Sequence, residues 1–214
     1  MTFEGRESTG NGYAESRQLW EQFLGGDLEA WERIFTLFYK DLYGYGLKLS
    51  ARPELTKDCI QELFVVLWER RDHLDEVQSI KAYLLASLRR KLLKRLKKKR
   101  KHFTSLEQED TSHSVDIQFS PEELIIKRER ENSKLQALYE AFDALPDRQK
   151  EVLYLKYFNG MSYEEIQEIL EISYQSIRNH IYRAVKRLRN ILNENISEIT
   201  ISLLPFLFSF LFGI

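Results

Sequence analysis

The chain of 214 residues has little of what metal centres and disulfide-stapled domains depend on. Its one cysteine, Cys59, excludes an intrachain disulfide and a metal site built from several cysteines. The four histidines are scattered, with no pair at the spacing of metal ligands. Four prolines and nine glycines leave few helix-breaking positions, and no alternating pattern of useful length predicts a strand. The sequence therefore predicts an all-α fold with no metal and no cofactor.

The sequence also lacks a large excess of charge of either sign, because its 32 Lys and Arg and its 33 Asp and Glu give a formal net charge of −1. This sum argues against a uniformly basic nucleic-acid coat but says nothing of how the charge is distributed. Residues 89–101 hold ten basic residues and no acid, whereas residues 102–120 hold four acids and no Lys or Arg. We therefore expect separate cationic and anionic surfaces.

Composition along the chain predicts two small helical modules joined by a flexible linker. No apolar run opens the chain, so residues 1–14 are expected to form a disordered lead and the protein to be cytoplasmic. The predicted modules cover residues 15–98 and 121–195. The Ser- and Thr-rich stretch between them, 99–120, is interpreted as the linker, and residues 196–214 form a hydrophobic tail.

In the first module, apolar periodicity predicts helices over residues 16–24, 28–49 and 54–71, and a fourth helix beginning at Ile80. The third of these is apolar over most of its circumference. The exception is one polar face, formed by Asp58, Gln61, Glu62, Val65 and Glu69. Such a face is either solvated surface or a docking surface for a basic partner.

The second module is predicted to contain a helix from 121 to about 144, a helix over 147–158, and a helix-turn-helix. Ser162 and Glu165 form a capping box before the first helix of that motif, and Ser173 caps the second. The final helix presents Arg178, Asn179 and other polar side chains opposite an apolar stripe. The alternatives are a solvated charged face and a helix that reads base edges in the major groove, and we favour the second.

Two further segments allow more than one interpretation. The basic run 89–101 is either an exposed helix end or a phosphate-binding helix, and Tyr83 before it either packs in the core or stacks on an unpaired base. Residues 199–214 are uncharged, but as a helix they would span about 24 Å, less than the roughly 30 Å of a bilayer core. We expect this tail to pack on the protein or a partner, the alternative being weak contact with a membrane.

The quoted segments resemble bacterial sigma factors of the extracytoplasmic-function (ECF) group. The segment 58–64 with Leu67 and Trp68 is similar to the polymerase-binding helix of sigma region 2. The segments 145–158, 162–166 and 177–184 are similar to region 4, and the short gap between the two leaves no room for region 3. The resemblance implies a sigma factor that is not an enzyme, and that binds core RNA polymerase, promoter DNA and an anti-sigma factor.

The resemblance also implies a role for each matching position. Docking on core polymerase falls to Asp58, Gln61, Glu62, Phe64 and Trp68. Contacts with the minus-ten element fall to Ser79, Tyr83, Arg89, Arg90, Lys91 and Lys94. Contacts with the minus-thirty-five element fall to Ser173, Gln175, Arg178, Asn179, Tyr182, Arg183 and Lys186.

One position departs from the family pattern, because Glu171 stands where the turn usually has Gly. Glu tolerates a positive φ poorly, so the turn is expected to differ slightly from the usual one. The rival function is a stand-alone helix-turn-helix regulator that binds duplex DNA without polymerase. The polar face around Asp58 argues against that rival, because a repressor has no need of it.

Overall fold

The computed structural model describes residues 10–103 and 141–195, and all regular structure in these ranges is helical. The first module consists of α1 (Gly10–Leu24), α2 (Leu28–Ser50), α3 (Pro53–Glu69) and α4 (Ile80–Phe103), with a short 3₁₀ turn at Arg71–His73. The second consists of α5 (Asp147–Leu153), a π-helical turn (Tyr154–Phe158), α6 (Tyr163–Leu170) and α7 (Tyr174–Asn195). The predicted all-α fold of two helical modules is confirmed.

Side-chain caps define several of the helix starts. The Asp27 carboxylate accepts hydrogen bonds from the first-turn amides of α2, at 2.8 Å from Glu29 and 3.3 Å from Ala30. The Ser79 hydroxyl accepts one from the Ala82 amide at 3.2 Å at the start of α4. These bonds satisfy amides that have no partner within the helix, which is why the helices begin there.

The structure differs from the sequence prediction at several helix boundaries. Helix α1 begins at Gly10, within the segment expected to be a disordered lead, and α4 continues to Phe103, beyond the expected start of the linker. Once a helix is nucleated by buried residues, each added residue gains a hydrogen bond, so it extends into weakly helical sequence. Helix α3 ends at Glu69, two residues early, and the last turn before Asn159 is π-helical.

The core of the first module lies between α2, α3 and α4, with α1 packed on α2. Its largest fully buried side chains are aromatic and aliphatic, and they include Trp20, Phe23, Ile34, Leu42, Tyr45, Phe64, Leu84 and Leu88. Each such side chain contributes about 1.5–3 kcal/mol of burial free energy. Helix α2 approaches its neighbours closely at Gly46, where a Cβ atom would lie 2.7 Å from Cγ2 of Thr56.

The second module packs against the first instead of standing apart from it. Helix α6 lies on α4, while α5 and α7 pack together around Leu145, Leu153, Ala184 and Leu188. Buried residues of α6, including Ile166 and Ile169, belong to the same apolar cluster as the core of the first module. The described parts of the two modules therefore share one large apolar cluster, beside a smaller one between α5 and α7.

Some of the sequence predictions fall outside the described residues. They concern residues 1–9, most of the linker and of the helix from 121 to 144, and the tail after Asn195. Within the described ranges, no helix is both long enough and apolar enough to cross a membrane.

Candidate nucleic-acid interface

The polar face of α3 lies at the surface, as its periodicity predicts. Asp58, Gln61 and Glu69 are exposed, and the Val65 side chain between them is 49% exposed. Glu62 is half-buried and interacts with α4, where Lys91 Nζ lies 2.9 Å from its Oε2 and Arg95 donates to its Oε1. The hydrogen bonds from Lys91 and Arg95 lower the pKa of the Glu62 carboxyl below its ordinary value. The Glu62 carboxylate is therefore paired with two cations of α4, while the other acids of the face are exposed.

The two aromatic residues assigned to docking lie deeper than the polar ones. Phe64 is 2% exposed and packs edge-on against Trp31 and Phe35, with ring centroids 6.2 and 4.9 Å apart. Trp68 is half-buried, and the Arg71 guanidinium lies 4.6 Å above its ring. In this structure Phe64 therefore holds α3 against α2, and its side chain is not available to a partner.

The loop before α4 is fixed to α1 at two points. The Trp20 indole nitrogen donates to the Asp75 carbonyl at 3.1 Å, and an Arg17 guanidinium nitrogen lies 2.9 Å from a Glu76 carboxylate oxygen. Tyr83 packs edge-on against the Trp20 ring at 5.6 Å and is half-buried. The Tyr83 ring thus contributes to the core while part of it remains accessible.

The basic residues of α4 divide into exposed and occupied ones. Arg90 and Lys94 are exposed, whereas Lys91 is half-buried against Glu62. Arg89 is 5% exposed, and its Nε lies 2.9 Å from Oε1 of Glu151, a residue of α5. The structure therefore places Arg89 between the two modules and not at the surface. Sequence reasoning missed Glu151, because nothing in its local pattern indicates a partner 62 residues away.

The helix-turn-helix is built as the capping residues predict. The Glu165 amide donates to the Ser162 hydroxyl at 3.1 Å, and the Ser162 amide donates to the Glu165 carboxylate at 2.7 Å. Glu171 ends α6 with φ 55° and ψ 43°, and its amide donates to the Gln167 carbonyl. Glu171 thus adopts the left-handed conformation that favours Gly, so the backbone of the turn is not altered to suit the side chain.

Helix α7 separates its two faces clearly. Ile177, Ala184 and Leu188 are buried. All seven residues assigned to the minus-thirty-five element are exposed: Ser173, Gln175, Arg178, Asn179, Tyr182, Arg183 and Lys186. Tyr182 among them is 66% exposed. The helix therefore presents Arg and Asn, which pair with base edges, together with cations that neutralise phosphates.

Local contacts order part of this face before any ligand binds. The Gln175 side-chain amide donates to the Asn179 side-chain oxygen at 3.2 Å. The Arg178 guanidinium carbon lies 6.0 Å from the centroid of the Tyr174 ring, at the outer limit of a cation–π contact. Ordering these side chains in advance lowers the entropy lost on binding. In the described part of the chain, no group of three or more His, Cys, Asp or Glu is placed to hold a metal ion.

Comparison with protein families gives two matches, in the order of the two modules. Residues 34–102 match the model described as Sigma-70 region 2, and residues 135–188 match the one described as Sigma-70, region 4. The first range includes the polar face of α3 and the basic residues of α4 assigned to the minus-ten element, and the second includes the exposed face of α7.

Curated relatives cover most of the chain at low identity. It is 23% identical over 167 residues to the ECF RNA polymerase sigma factor SigM of Bacillus subtilis (strain 168), covering 78% of this chain and 98% of that protein. It is 24% identical over 181 residues to SigW, an ECF RNA polymerase sigma factor of the same strain, covering 81% and 95%.

A solved structure shares the fold. It contains the sigma factor RpoE with the anti-sigma factor NepR from Bartonella quintana, and it matches with a TM-score of 0.53 and 19% identity. The match covers 78% of this chain and 98% of that one, so it includes both helical modules.

Proposed function

Because the chain belongs to the ECF group of sigma-70 factors, we propose that it binds core RNA polymerase and directs transcription initiation at specific promoters. The observation that carries this function is the exposed polar face of α3 in the same chain as the exposed recognition face of α7. A regulator that binds DNA alone needs the second face but not the first. Asp58, Gln61 and Glu62 would dock on a basic surface of the polymerase.

The two modules divide the reading of the promoter between them. The loop 72–79 and the exposed residues of α4, Arg90 and Lys94, would contact the minus-ten element, with Ser79 and Tyr83 at the base of the loop. Helix α7 would enter the major groove of the minus-thirty-five element, where Arg178 and Asn179 reach base edges and Lys186 neutralises a phosphate. The protein itself would do no covalent chemistry.

Location and partners follow from this role. A factor that docks on RNA polymerase works in the cytoplasm, where transcription takes place. The solved complex of RpoE with NepR supports an anti-sigma factor as a further partner, because that complex shares the two-module fold. The tail 196–214 would pack on the rest of the protein or on a partner, or would make weak contact with a membrane surface.

In-vitro transcription with purified core polymerase tests the function directly. We expect the full chain to produce promoter-dependent starts from cognate templates and no such starts when it is omitted. If the protein binds these templates tightly but never directs a start, the stand-alone regulator is the better description.

The docking face has its own test, which is charge reversal. Asp58→Lys and Glu62→Lys are expected to weaken binding to core polymerase at least about tenfold, a change of roughly 1.4 kcal/mol in binding free energy. Glu32→Lys is the matched control, because Glu32 is an exposed acid on α2, outside the proposed face. Equal affinity of all three variants and wild type would remove the docking assignment, provided that circular dichroism shows them folded.

A further inference from the structure

The loop that leads into α4 has little structure of its own to hold it in place. Residues 74–77 adopt no regular structure. Among the described residues, no backbone–backbone hydrogen bond involves an amide or carbonyl of residues 75–78. A loop that has to be ordered when it binds DNA loses conformational entropy at that moment, and this loss lowers the affinity. If the loop is ordered beforehand, contacts from other elements must order it.

One buried side chain of α1 provides such a contact. Trp20 is 1% exposed, and its indole nitrogen donates to the Asp75 carbonyl at 3.1 Å. The Asp75 carbonyl belongs to the stretch without backbone hydrogen bonds, so the indole anchors the middle of the loop. A tryptophan suits this position, because its apolar ring is buried in the core while its N–H reaches a polar group at the edge.

The same ring contacts an aromatic residue in the first turn of α4. The rings of Trp20 and Tyr83 meet edge-on, with their centroids 5.6 Å apart and their planes at 62°. Trp20 is packed in turn against Phe23, at 5.0 Å between centroids. Tyr83 is half-buried and is one of the residues assigned to the minus-ten element. Trp20 therefore contacts two parts of the proposed minus-ten surface, the loop backbone and the Tyr83 ring.

The side chains of the loop are sorted between the core and the solvent. Leu74 and Val77 are half-buried and pack against the apolar cluster of the first module. Asp75, Glu76 and Gln78 are exposed. Carboxylate and amide groups can form hydrogen bonds with base edges. The anchored loop thus turns its apolar side chains toward the protein and presents its polar ones at the surface.

A second residue of α1 affects the charge of the loop. An Arg17 guanidinium nitrogen lies 2.9 Å from a Glu76 carboxylate oxygen, and another lies 3.0 Å from a Glu21 carboxylate oxygen. All three side chains are at least half exposed, so these pairs add little to stability. The Arg17 cation nevertheless offsets an acid in a loop that would lie near DNA phosphates. Arg17 and Trp20 are three residues apart, so one face of α1 serves the loop.

We propose that Trp20 is a positioning residue for minus-ten recognition, which holds the loop 72–79 and the Tyr83 ring in their binding arrangement before DNA arrives. This inference rests on the proposed function for its consequence. Trp20 lies outside the residues 34–102 that match region 2, and it is not among the residues that the family resemblance assigns to a partner. Because it is buried, Trp20 acts through the loop and Tyr83 and touches no DNA itself.

Trp20→Phe removes the anchoring hydrogen bond with a small change of shape. The new side chain keeps an aromatic ring beside Tyr83 but has no N–H to donate. Trp31 provides the matched control, because its indole nitrogen is buried and has no hydrogen-bond partner among the described residues. Trp31→Phe thus replaces an indole of the same module without releasing the loop.

A spin label on the loop measures its order without DNA or polymerase. Gln78→Cys provides an exposed labelling site, whereas the native Cys59 is fully buried. In the full labelled chain, the electron paramagnetic resonance spectrum should show greater nanosecond mobility in Trp20→Phe than in Trp31→Phe, and the spectrum of Trp31→Phe should match that of the labelled parent. Equal mobility in the two variants would overturn the proposal.

Binding of the two promoter elements, each on its own probe, measures the consequence. The probes are a single-stranded oligonucleotide with the non-template minus-ten sequence and a duplex with only the minus-thirty-five sequence. Purified holoenzyme with Trp20→Phe should bind the first probe about three- to tenfold more weakly than holoenzyme with Trp31→Phe, as expected for one lost hydrogen bond. Both should bind the second probe equally. Equal affinity for the first probe, or the same loss on both probes, would overturn the positioning role.

Two further arms keep the test decisive. If circular dichroism shows that Trp20→Phe is unfolded, benzothienylalanine at position 20 takes its place, because it keeps the bicyclic shape and has sulfur where the indole has N–H. The same outcomes then apply. If wild type directs no promoter-dependent start with core polymerase, the proposed function fails, and the spin label by itself decides whether Trp20 orders the loop.

Discussion

At the scale of single residues, Glu171 stores strain at the end of α6. A non-glycine residue in the left-handed region costs about 1–2 kcal/mol. The φ of 55° at Glu171 is maintained because its amide caps α6 and the turn sets the direction of α7. The residue thus keeps the helix-turn-helix geometry at a cost in stability.

Glu171→Gly should stabilise the protein relative to Glu171→Ala by about 0.5–1 kcal/mol, because part of the relieved strain is offset by the greater freedom of Gly when unfolded. The alanine variant is the matched control, since it removes the same charge but keeps the Cβ atom. Urea unfolding monitored by circular dichroism measures the difference. A lower midpoint for the glycine variant would show that the turn is not strained.

A second effect at this scale concerns His180 in α7. Burial, with the nearby charges of Arg148 and Arg183, lowers the pKa of the His180 imidazole below its ordinary value of about 6.5. The unfolded chain then binds a proton at a pH where the folded chain does not. The contribution of His180 to the free energy of unfolding is therefore fully present above about pH 6.5, and it is lost as the pH decreases through that value.

His180→Gln should remove part of this acid sensitivity. We expect the unfolding free energy of wild type to decrease more than that of the variant between about pH 7.5 and about pH 5.5. Denaturant unfolding at the two pH values measures both differences. Parallel losses in the two proteins would mean that other groups cause the acid sensitivity.

At the scale of elements, α7 shows how a helix divides its functions between its faces. The buried stripe of Ile177, Ala184 and Leu188 fixes the orientation of the helix, and this orientation determines which polar residues point outward. Within the outward face, Arg178 lies near the start of the helix and Lys186 further along it, and we expect the two side chains to make different kinds of contact with DNA. The first side chain can pair with a base edge, while the second acts as a point charge.

Arg178→Ala should cost about 1–3 kcal/mol of binding to the cognate minus-thirty-five element and should relax sequence preference at one position. Lys186→Ala should weaken binding to all sequences alike and reduce the slope of log K against log salt by about 1. Titrations of the holoenzyme on cognate and mutated duplexes at several salt concentrations separate the two. Identical specificity profiles for both variants would contradict this division.

At the scale of the whole molecule, the large apolar cluster makes stability a shared property of the two modules. Residues of α2, α4, α5 and α6 belong to one apolar cluster, so neither module can be removed without exposing apolar surface of the other. A buried ion pair between Arg89 and Glu151 also joins the two modules.

Wild type should therefore unfold in one cooperative transition, whereas Glu151→Gln should separate it into two or broaden it. Differential scanning calorimetry measures this, through the ratio of the calorimetric to the van't Hoff enthalpy. Arg178→Ala is the control, because Arg178 is exposed and distant in sequence from the contact. Two transitions in wild type itself would show that the modules are not coupled.

The sequence by itself determined the helices and their surfaces. Caps at Asp27 and Ser162 act through neighbouring residues, and the apolar periodicity of α3 and α7 is local, so both could be predicted from adjacent positions. The family resemblance likewise assigned the site residues from the sequence alone, by matching individual positions to the family's motifs.

Only the tertiary structure decided which of those residues are accessible. Phe64 and Arg89 occupy positions that the resemblance assigns to partners, yet both are buried, because packing brings Trp31 to one and Glu151 to the other. Contacts between residues far apart in sequence leave no local pattern, so the packing of the second module against the first could not be predicted. The helices follow from short-range hydrogen bonding and hydrophobic periodicity. The packing of the two modules follows instead from long-range contacts, such as the buried pair of Arg89 and Glu151.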